Sequence, residues 1–302
     1  MIKRITRKKL DVNQYTECLN RSVNYRIYAE VLYLDALVGE NWDCYVLNDY
    51  EAIMPLPFVK KFGLKFIVQP TYCQQLGVFH QENFSKETFQ LFEKKLHRNL
   101  VRAYSFNEEN TTLFVPKGEK RVNQILDISK EYTSIYQEFN SNRKRNISKN
   151  NFNHLLVKKD EIQLEWFIKT LKEHYTYSQT INLVVFEQLI KSLSLKKKIS
   201  IYSLHLENNS EAISSALIIH SKNRRILINS VRNKTEEPQG SFSYLLANII
   251  KENSNQNLIF DFEGSNIAGI QQYYASYNSI IQHYHYFSNL KFIENIAKKF
   301  SI

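Results

Sequence analysis

Two carboxylates and a tyrosine near the C-terminal end of the sequence have the types and spacing needed for proton transfer. Asp261 and Glu263 end a short apolar run, and Tyr274 follows them in a segment with helical spacing. A carboxylate can take the proton of an attacking amine, and a tyrosine, with an ordinary pKa of about 10, can donate one at neutral pH. The structural alternative is an acidic turn residue paired with an arginine and a tyrosine that only packs in the core.

The elements around these residues follow from the apolar pattern. The run Leu258–Phe262, bounded by the turn residue Gly264, predicts a buried strand. Beyond it, residues at steps of three and four predict a helix with one apolar face, capped by Ser265 or Asn266 and ended by Asn278: Ile267, Ile270, Tyr274 and Tyr277. Ligands bind at strand ends in open α/β sheets, so this turn is the expected site.

Composition limits the class of protein. A chain of 302 residues with 43% apolar residues can form two globular domains. The formal charge of +10 favours a polyanionic partner or an anionic co-substrate, or it is only surface charge. The three cysteines lack a C-x-x-C pair and no long apolar segment occurs, so we expect a cytoplasmic protein without membrane insertion. His283 and His285 have no third ligand at motif spacing, so no metal site is expected.

The first half of the sequence alternates between helical and strand periods. A helix is predicted over Tyr25–Leu37, and another is predicted to begin after Ser85. The strand-like runs are separated by turn signals and predict a meander followed by two more strands: Trp42–Leu47, Ala52–Pro57, Lys65–Pro70, Leu100–Phe106 and Gln124–Ile128.

The second half repeats this order of elements. Three strands are predicted over Ile199–Leu206, Glu211–His220 and Arg225–Val231, followed by an amphipathic helix over Ser241–Ile250. Between the halves lies a polar, basic run from Ser141 to Asn153. We therefore predict an N-terminal domain over 1–140, a basic join over 141–155 and a C-terminal domain over 156–302.

The second half resembles the GNAT acyltransferase superfamily. It has three strands, a loop entering a helix, a strand, and a helix with a tyrosine four residues before its end at Asn278. Of the family's loop the sequence keeps only Gln239, Gly240 and Ser241. The resemblance implies that backbone N–H groups from Gln239 to Phe242 hold the coenzyme A pyrophosphate, and that N–H groups from Asn229 to Val231 hold the oxyanion.

Two such units joined by a basic segment resemble the Fem-type transferases, which append amino acids to peptidoglycan precursors from aminoacyl-tRNA. The segment F-D-F-E-G-S-N-I-A-G-I is similar to a group of uncharacterised bacterial GNAT-like proteins, as are two segments of the first half: M-P-L-P at Met54–Pro57 and Q-P-T-Y-C-Q-Q-L-G at Gln69–Gly77. The fold class implied is α/β (α+β), with tandem GNAT-like domains and mixed, mostly antiparallel sheets.

The implied activity is transfer of an acyl group from an acyl-CoA thioester such as acetyl-CoA to an amine. Coenzyme A would be a co-substrate, and no tightly bound cofactor is expected. Glu263 or Asp261 would be the base and Tyr274 the acid, with a small-molecule or peptide-like amine as acceptor. The alternatives are a Fem-type aminoacyltransferase that uses aminoacyl-tRNA, and a non-catalytic module that binds an anionic polymer.

The basic run has two interpretations. Arg143, Lys144, Arg145 and Lys149 form either a solvated linker or a set of contacts to tRNA phosphates. The sequence leaves both open.

Overall fold

The computed structural model describes residues 1–148, 152–159, 164–175, 182–207, 211–233 and 238–290. These residues form two compact units, the first of Met1–Arg121 with residues 283–290 and the second of Val122–Gln282. Within the described ranges, no helix has both the length and the apolar character needed to cross a membrane.

The first unit is built on a mainly antiparallel sheet with the strand order β1-β2-β3-β4-β6, and β5 pairs with β3. Its elements in chain order are β1 Ile2–Thr6, α1 Val12–Arg21, α2 Val31–Val38, β2 Trp42–Leu47, β3 Ala52–Lys61, β4 Leu64–Ile67, β5 Phe79–His80, α3 Lys86–His97, β6 Leu100–Val101, β7 Tyr104–Ser105 and α4 Glu108–Phe114. Ser85 caps α3 as predicted, since its hydroxyl accepts a hydrogen bond from the Thr88 N–H.

The second unit contains a six-stranded sheet region in the order β8-β13-β12-β11-β10-β9. Its elements are β8 Glu119–Asp127, α5 Tyr132–Glu138, α6 Ser141–Ser148, β9 Leu155–Lys159, α7 Leu164–His174, α8 Leu183–Leu195, β10 Ile199–Leu206, β11 Ala212–His220, β12 Arg224–Arg232, α9 Ser241–Asn253, β13 Ile259–Asp261, α10 Ala268–Ala275 and β14 Ile280–Phe287. All neighbouring pairs in this region are antiparallel except β12 and β13, which are parallel.

Helix α9 lies against the sheet of the second unit because of its apolar stripe. The five apolar residues that predict the helix are all buried: Phe242, Leu245, Leu246, Ile249 and Ile250. They share one core with residues of α5 and the β13 turn, such as Ile135, Phe139 and Phe262. Burial of this stripe is what fixes the helix above the strands that carry the candidate site.

The division of the chain differs from the boundaries expected from the sequence. Residues 122–140 belong to the second unit, because β8 pairs with β13 and Phe139 packs in the same core as Phe260. The end of β14 belongs to the first unit, where Tyr286 pairs with Ser105. The chain thus enters the second unit within β8 and leaves it within β14.

The basic run is mostly a folded helix instead of a polar linker. Residues Ser141–Ser148 form α6, and the Arg143 side chain is 4% exposed. The Arg143 guanidinium is enclosed by the protein, so this side chain fits neither the solvated-linker nor the phosphate-contact interpretation. Lys144 donates to the Gln137 carbonyl of α5, and Arg145 donates to the Asn142 side-chain oxygen within α6. Lys149 lies outside the described residues.

Several predicted elements are shorter in the structure. The helix expected over Tyr25–Leu37 begins at Val31, and the strand expected over Leu100–Phe106 is two strands of two residues each. Strand β13 ends at Asp261, so Phe262 and Glu263 already lie in the turn. Helix α10 begins at Ala268 with no side-chain cap hydrogen bond.

Candidate active-site cleft

The cleft of the second unit forms where two parallel strands separate. Strands β12 and β13 pair from Arg224 opposite Ile259 to Ile226 opposite Asp261, and their pairing ends there. Beyond this point β12 stays paired with β11 as far as Arg232, while the Phe262 N–H donates to the Gln124 carbonyl of β8. The backbones therefore diverge immediately after Asp261.

A bulge lies in β12 where it borders the gap. The register with β11 pairs Leu217 with Asn229 and Ile218 with Leu227, so Ile228 is the extra residue. A bulge takes a residue out of the regular ladder and re-aims its backbone. The Ser230 N–H donates to the Asn229 side-chain oxygen at 2.7 Å, so one of the predicted oxyanion donors is already engaged.

The divergence opens a cleft of about 500 Å³ that is confined to the second unit. Its walls come from strand β12, the β13 turn, helices α9 and α10, and Tyr175 just after α7. The lining residues are Tyr175, Leu227, Ile228, Asn229, Ser230, Arg232, Phe242, Phe262, Glu263, Gly264, Gly269, Ile270, Tyr273 and Tyr274. A volume of this size suits a small molecule or the reactive end of a larger one. Glu263, Tyr274, Asn229 and Phe242 were predicted from the sequence, and the structure places all four around one cleft.

Glu263 has a strained backbone conformation. Its φ is +56°, a left-handed conformation that costs a residue with a Cβ roughly 1–2 kcal/mol. The Glu263 N–H donates to Asp261 Oδ1 at 2.9 Å, which fixes the turn. The next residue is also left-handed, and a Cβ on Gly264 would lie 2.7 Å from the Val122 carbonyl oxygen. The turn therefore lies close against β8 and presents the Glu263 side chain to the cleft.

Asp261, the other predicted carboxylate, forms a buried ion pair with Arg224. Its Oδ2 accepts from Arg224 Nη1 at 2.7 Å, and both side chains are about 5% exposed or less. It does not line the cleft. The side chain shapes the turn under Glu263 and is not placed to take a proton from a bound amine.

Tyr274 is held by aromatic neighbours at the cleft wall. Its ring stacks on Phe262 with centroids 4.7 Å apart, and Tyr273 meets it edge-on at 5.7 Å. The side chain is half-buried, so the ring is fixed while the cleft remains accessible. The predicted spacing from the turn brings Tyr274 and Glu263 to the same cavity.

Behind Tyr273 lies a buried cation. The Arg143 guanidinium carbon is 4.2 Å from the Tyr273 ring centroid and 4.7 Å from that of Tyr277. Its nitrogens donate to the hydroxyls of Ser276 and Ser243, and no carboxylate in the described part of the chain pairs with it. Burial raises the pKa of Tyr277 well above its ordinary value, although the Arg143 charge opposes that shift. This group supports the cleft wall from inside.

The predicted phosphate-binding residues lie at the start of α9, and most lie outside the cleft. Ser241 is fully buried and its N–H donates to the Pro238 carbonyl, whereas Gln239 is exposed. Among Gln239, Gly240, Ser241 and Phe242, only Phe242 lines the cavity. Val231 is fully buried and does not line it either.

Replacing Gly240 by alanine should lower the free energy of unfolding by roughly 1–3 kcal/mol. Gly240 has a φ of +91°, and a Cβ there would lie 2.6 Å from the Asn146 carbonyl oxygen of α6. Urea unfolding measures the loss. Gly269→Ala is the matched control, since Gly269 is helical and no atom lies within 4 Å of its Cβ position. An equal loss in that variant would show that the close contact with Asn146 is not the cause of the loss at Gly240.

Arg232 and Tyr175 are among the cleft residues that sequence reasoning missed. Arg232, at the end of β12, has its guanidinium carbon 5.5 Å from the Phe242 ring centroid. The Tyr175 hydroxyl accepts the Arg232 N–H at 2.9 Å. The sequence does offer a signal for Arg232, which is a cation at the last residue of the strand before α9. It offers none for Tyr175, which follows α7 and has no local link to β12.

Comparison with known proteins gives matches by structure only. No family model matches the sequence, and no curated protein matches it. FemX aligns with a TM-score of 0.66 at 10% sequence identity, over 97% of this chain and 99% of that one. L-PGS from Bacillus licheniformis aligns at 0.51 and 13% identity, over 91% of each chain.

A tandem GNAT protein from the clavulanic acid biosynthesis pathway aligns with a TM-score of 0.50 at 8% identity, over 95% of this chain and 98% of that one. All three likenesses extend over nearly the whole chain and therefore include both compact units. They establish the arrangement that the sequence predicts: the chain has a tandem GNAT-like fold.

Proposed function

We propose that the cleft of the second unit is an N-acyltransferase site that passes an acyl group from an acyl-CoA thioester to an amine. The observation that carries the proposal is the divergence of β12 and β13, with Glu263 and Tyr274 on one cavity. Acyl transfer to an amine needs a proton acceptor, a proton donor and hydrogen-bond donors for an oxyanion. The cleft walls offer groups for all three roles.

Glu263 takes a proton from the acceptor amine, whose nitrogen forms the new bond to the acyl carbon. Backbone N–H groups of β12 around the bulge at Ile228 hold the oxyanion, because that part of the strand has lost its β13 neighbour. The carbon–sulfur bond then breaks, and Tyr274 protonates the departing thiolate. Asp261 acts only by positioning, through its bonds to Arg224 and to the Glu263 N–H.

The thioester's phosphates would lie toward the start of α9. Arg232 lines the cleft beside Phe242, in the first turn of that helix. A guanidinium binds phosphate oxygens through two parallel hydrogen bonds, and a helix N-terminus favours anions. Gln239, just before the helix, is exposed and is the second residue we assign to donor binding.

Thermal unfolding with acetyl-CoA, coenzyme A and bulk tRNA tests the proposal. A ligand of the native state raises stability as its concentration increases, by about 2.7 kcal/mol at a hundred times its Kd. We expect acetyl-CoA and coenzyme A to stabilise the protein. Arg232→Gln should weaken the binding of both by roughly 10- to 150-fold, since a charge-assisted phosphate contact contributes about 1.5–3 kcal/mol.

Arg145→Gln is the matched control, because Arg145 is exposed on α6 and does not line the cleft. The variant should leave coenzyme A binding unchanged. Stabilisation by tRNA alone, reduced in Arg145→Gln, would favour the aminoacyl-tRNA alternative. No effect of any of the three ligands would contradict the proposal and favour a non-catalytic module.

A further inference from the structure

The tip of the β3–β4 hairpin in the first unit carries an unusual side chain. Lys61 pairs with Leu64, so Phe62 and Gly63 form a two-residue turn. Both have positive φ, +52° and +74°, as the favoured type I′ hairpin turn requires. Asparagine or aspartate is usual at the first of these positions, because few other residues tolerate the left-handed conformation. Phenylalanine is therefore strained there.

Phe62 is also 88% exposed, so little burial of its ring offsets the strain. Val59 and Leu64 beside it are 45% and 53% exposed, so the tip presents three apolar side chains to solvent. A residue that breaks a local rule without a structural gain marks a functional site more often than a defect. The strain and the exposure are independent observations on the same side chain.

Lysines surround these apolar side chains. Lys60 and Lys61 are exposed, and neither forms an ion pair within the described residues. Lys60 lies directly opposite Lys65 across the strands, a like-charge pair that weakens a hairpin. Asp43 offsets the charge of Lys65 at 2.7 Å, whereas no carboxylate of the described residues pairs with Lys60 or Lys61. Lys61 Nζ lies 5.2 Å from the Phe62 ring centroid, so the two side chains form one amphipathic patch. The tip is therefore both apolar and positively charged.

We propose that this hairpin tip, residues 59–64, docks the protein on an anionic phospholipid surface. Phe62, Val59 and Leu64 would enter the boundary between headgroups and acyl chains, and Lys60 and Lys61 would meet the lipid phosphates. A hairpin bound in this way lies at the membrane surface and needs no segment that spans the bilayer. It is independent of the cleft in the second unit.

Two other partners fit the tip less well. A symmetric contact between two copies would bring the same patch of each together and oppose Lys60 and Lys61 to their own counterparts. Nucleic acid would pair with the lysines and a base would stack on Phe62, but Val59 and Leu64 would gain no apolar partner. An anionic bilayer satisfies both the apolar and the charged side chains.

The experiment is co-sedimentation of the full chain with vesicles of phosphatidylcholine, with and without phosphatidylglycerol. We expect binding to the anionic vesicles only. Lys60→Gln with Lys61→Gln should reduce the partition about 25-fold, since each lysine near such a surface contributes about fivefold. Phe62→Asn should reduce it about tenfold through lost apolar burial.

Phe62→Asn also removes the strain, so its melting temperature should rise, which separates lost binding from misfolding. The matched controls are Leu91→Asn and the pair Lys86→Gln with Lys94→Gln, all exposed on α3 of the same unit, and these should bind as the native chain does. Equal binding by the tip variants, or none by the native chain, overturns the proposal. A second result would also overturn the proposal. In it, the tip variants abolish self-association or tRNA binding but still bind the anionic vesicles.

Discussion

Replacing Asp261 by asparagine should lower the free energy of unfolding by about 3–5 kcal/mol, because it removes the carboxylate that Arg224 Nη1 bonds to in the protein interior. The two side chains are 2.7 Å apart and almost fully enclosed. The amide would also weaken the acceptor for the Glu263 N–H and loosen the turn. Urea unfolding of the native chain and the variant measures the loss.

Two controls make the Asp261 result specific. Glu252→Gln breaks a surface pair with Lys159 in the same unit and should change the free energy of unfolding by no more than about 1 kcal/mol. Arg224→Met with Asp261→Leu removes both charges and should recover most of the stability. If Asp261 were the catalytic base instead, Asp261→Asn would unfold like the native chain and lose only turnover.

The second large effect is expected at Glu263. Glu263→Gln should reduce turnover about 10²–10⁴-fold, the usual contribution of a general base, with little change in stability. Release of free thiol from acetyl-CoA in the presence of a panel of amines measures the rate. Glu165→Gln, an exposed carboxylate on α7 outside the cleft, should leave the rate unchanged.

A glycine at the same position separates a catalytic role from a structural one. Glycine accepts a φ of +56° without strain, so Glu263→Gly should equal or exceed the native stability while losing the same activity. A chain that is stabilised and inactive would show that the strained glutamate is retained for chemistry. A chain that unfolds more easily, or keeps its turnover, would show that Glu263 serves only the turn.

Local periodicity predicted much of the second unit. The strand Ile199–Leu206 matches β10 at both ends, and the stripe from Phe242 to Ile250 predicted α9. These patterns lie within one element each, so neighbouring residues carry the whole signal. A turn at Gly264 and the left-handed conformation of Asn278, with a φ of +60°, were predicted on the same basis. The strand before that turn ends earlier than predicted, at Asp261.

The burial of Asp261 and Arg143 could not be predicted in this way. Arg224 meets Asp261 only because β12 and β13 run parallel after a crossover of 37 positions. Arg143 lies in a run of polar and basic residues that indicates solvent, yet its neighbours Ser243, Ser276, Tyr273 and Tyr277 all come from segments a hundred or more positions away. Such pairings depend on the tertiary fold, and a short stretch of sequence does not reveal them.

The return of β14 to the first unit has a consequence for synthesis. The backbone of β7 pairs with β14, and the Phe106 N–H donates to the His285 carbonyl, so the first unit lacks these partners until β14 is made. The ribosome must first produce all of Val122–Gln282, which takes roughly 10–30 s at about 5–20 residues per second. During that interval the edge at β7 is open to pairing with other chains. The unit that begins first on the ribosome is therefore the one that finishes last.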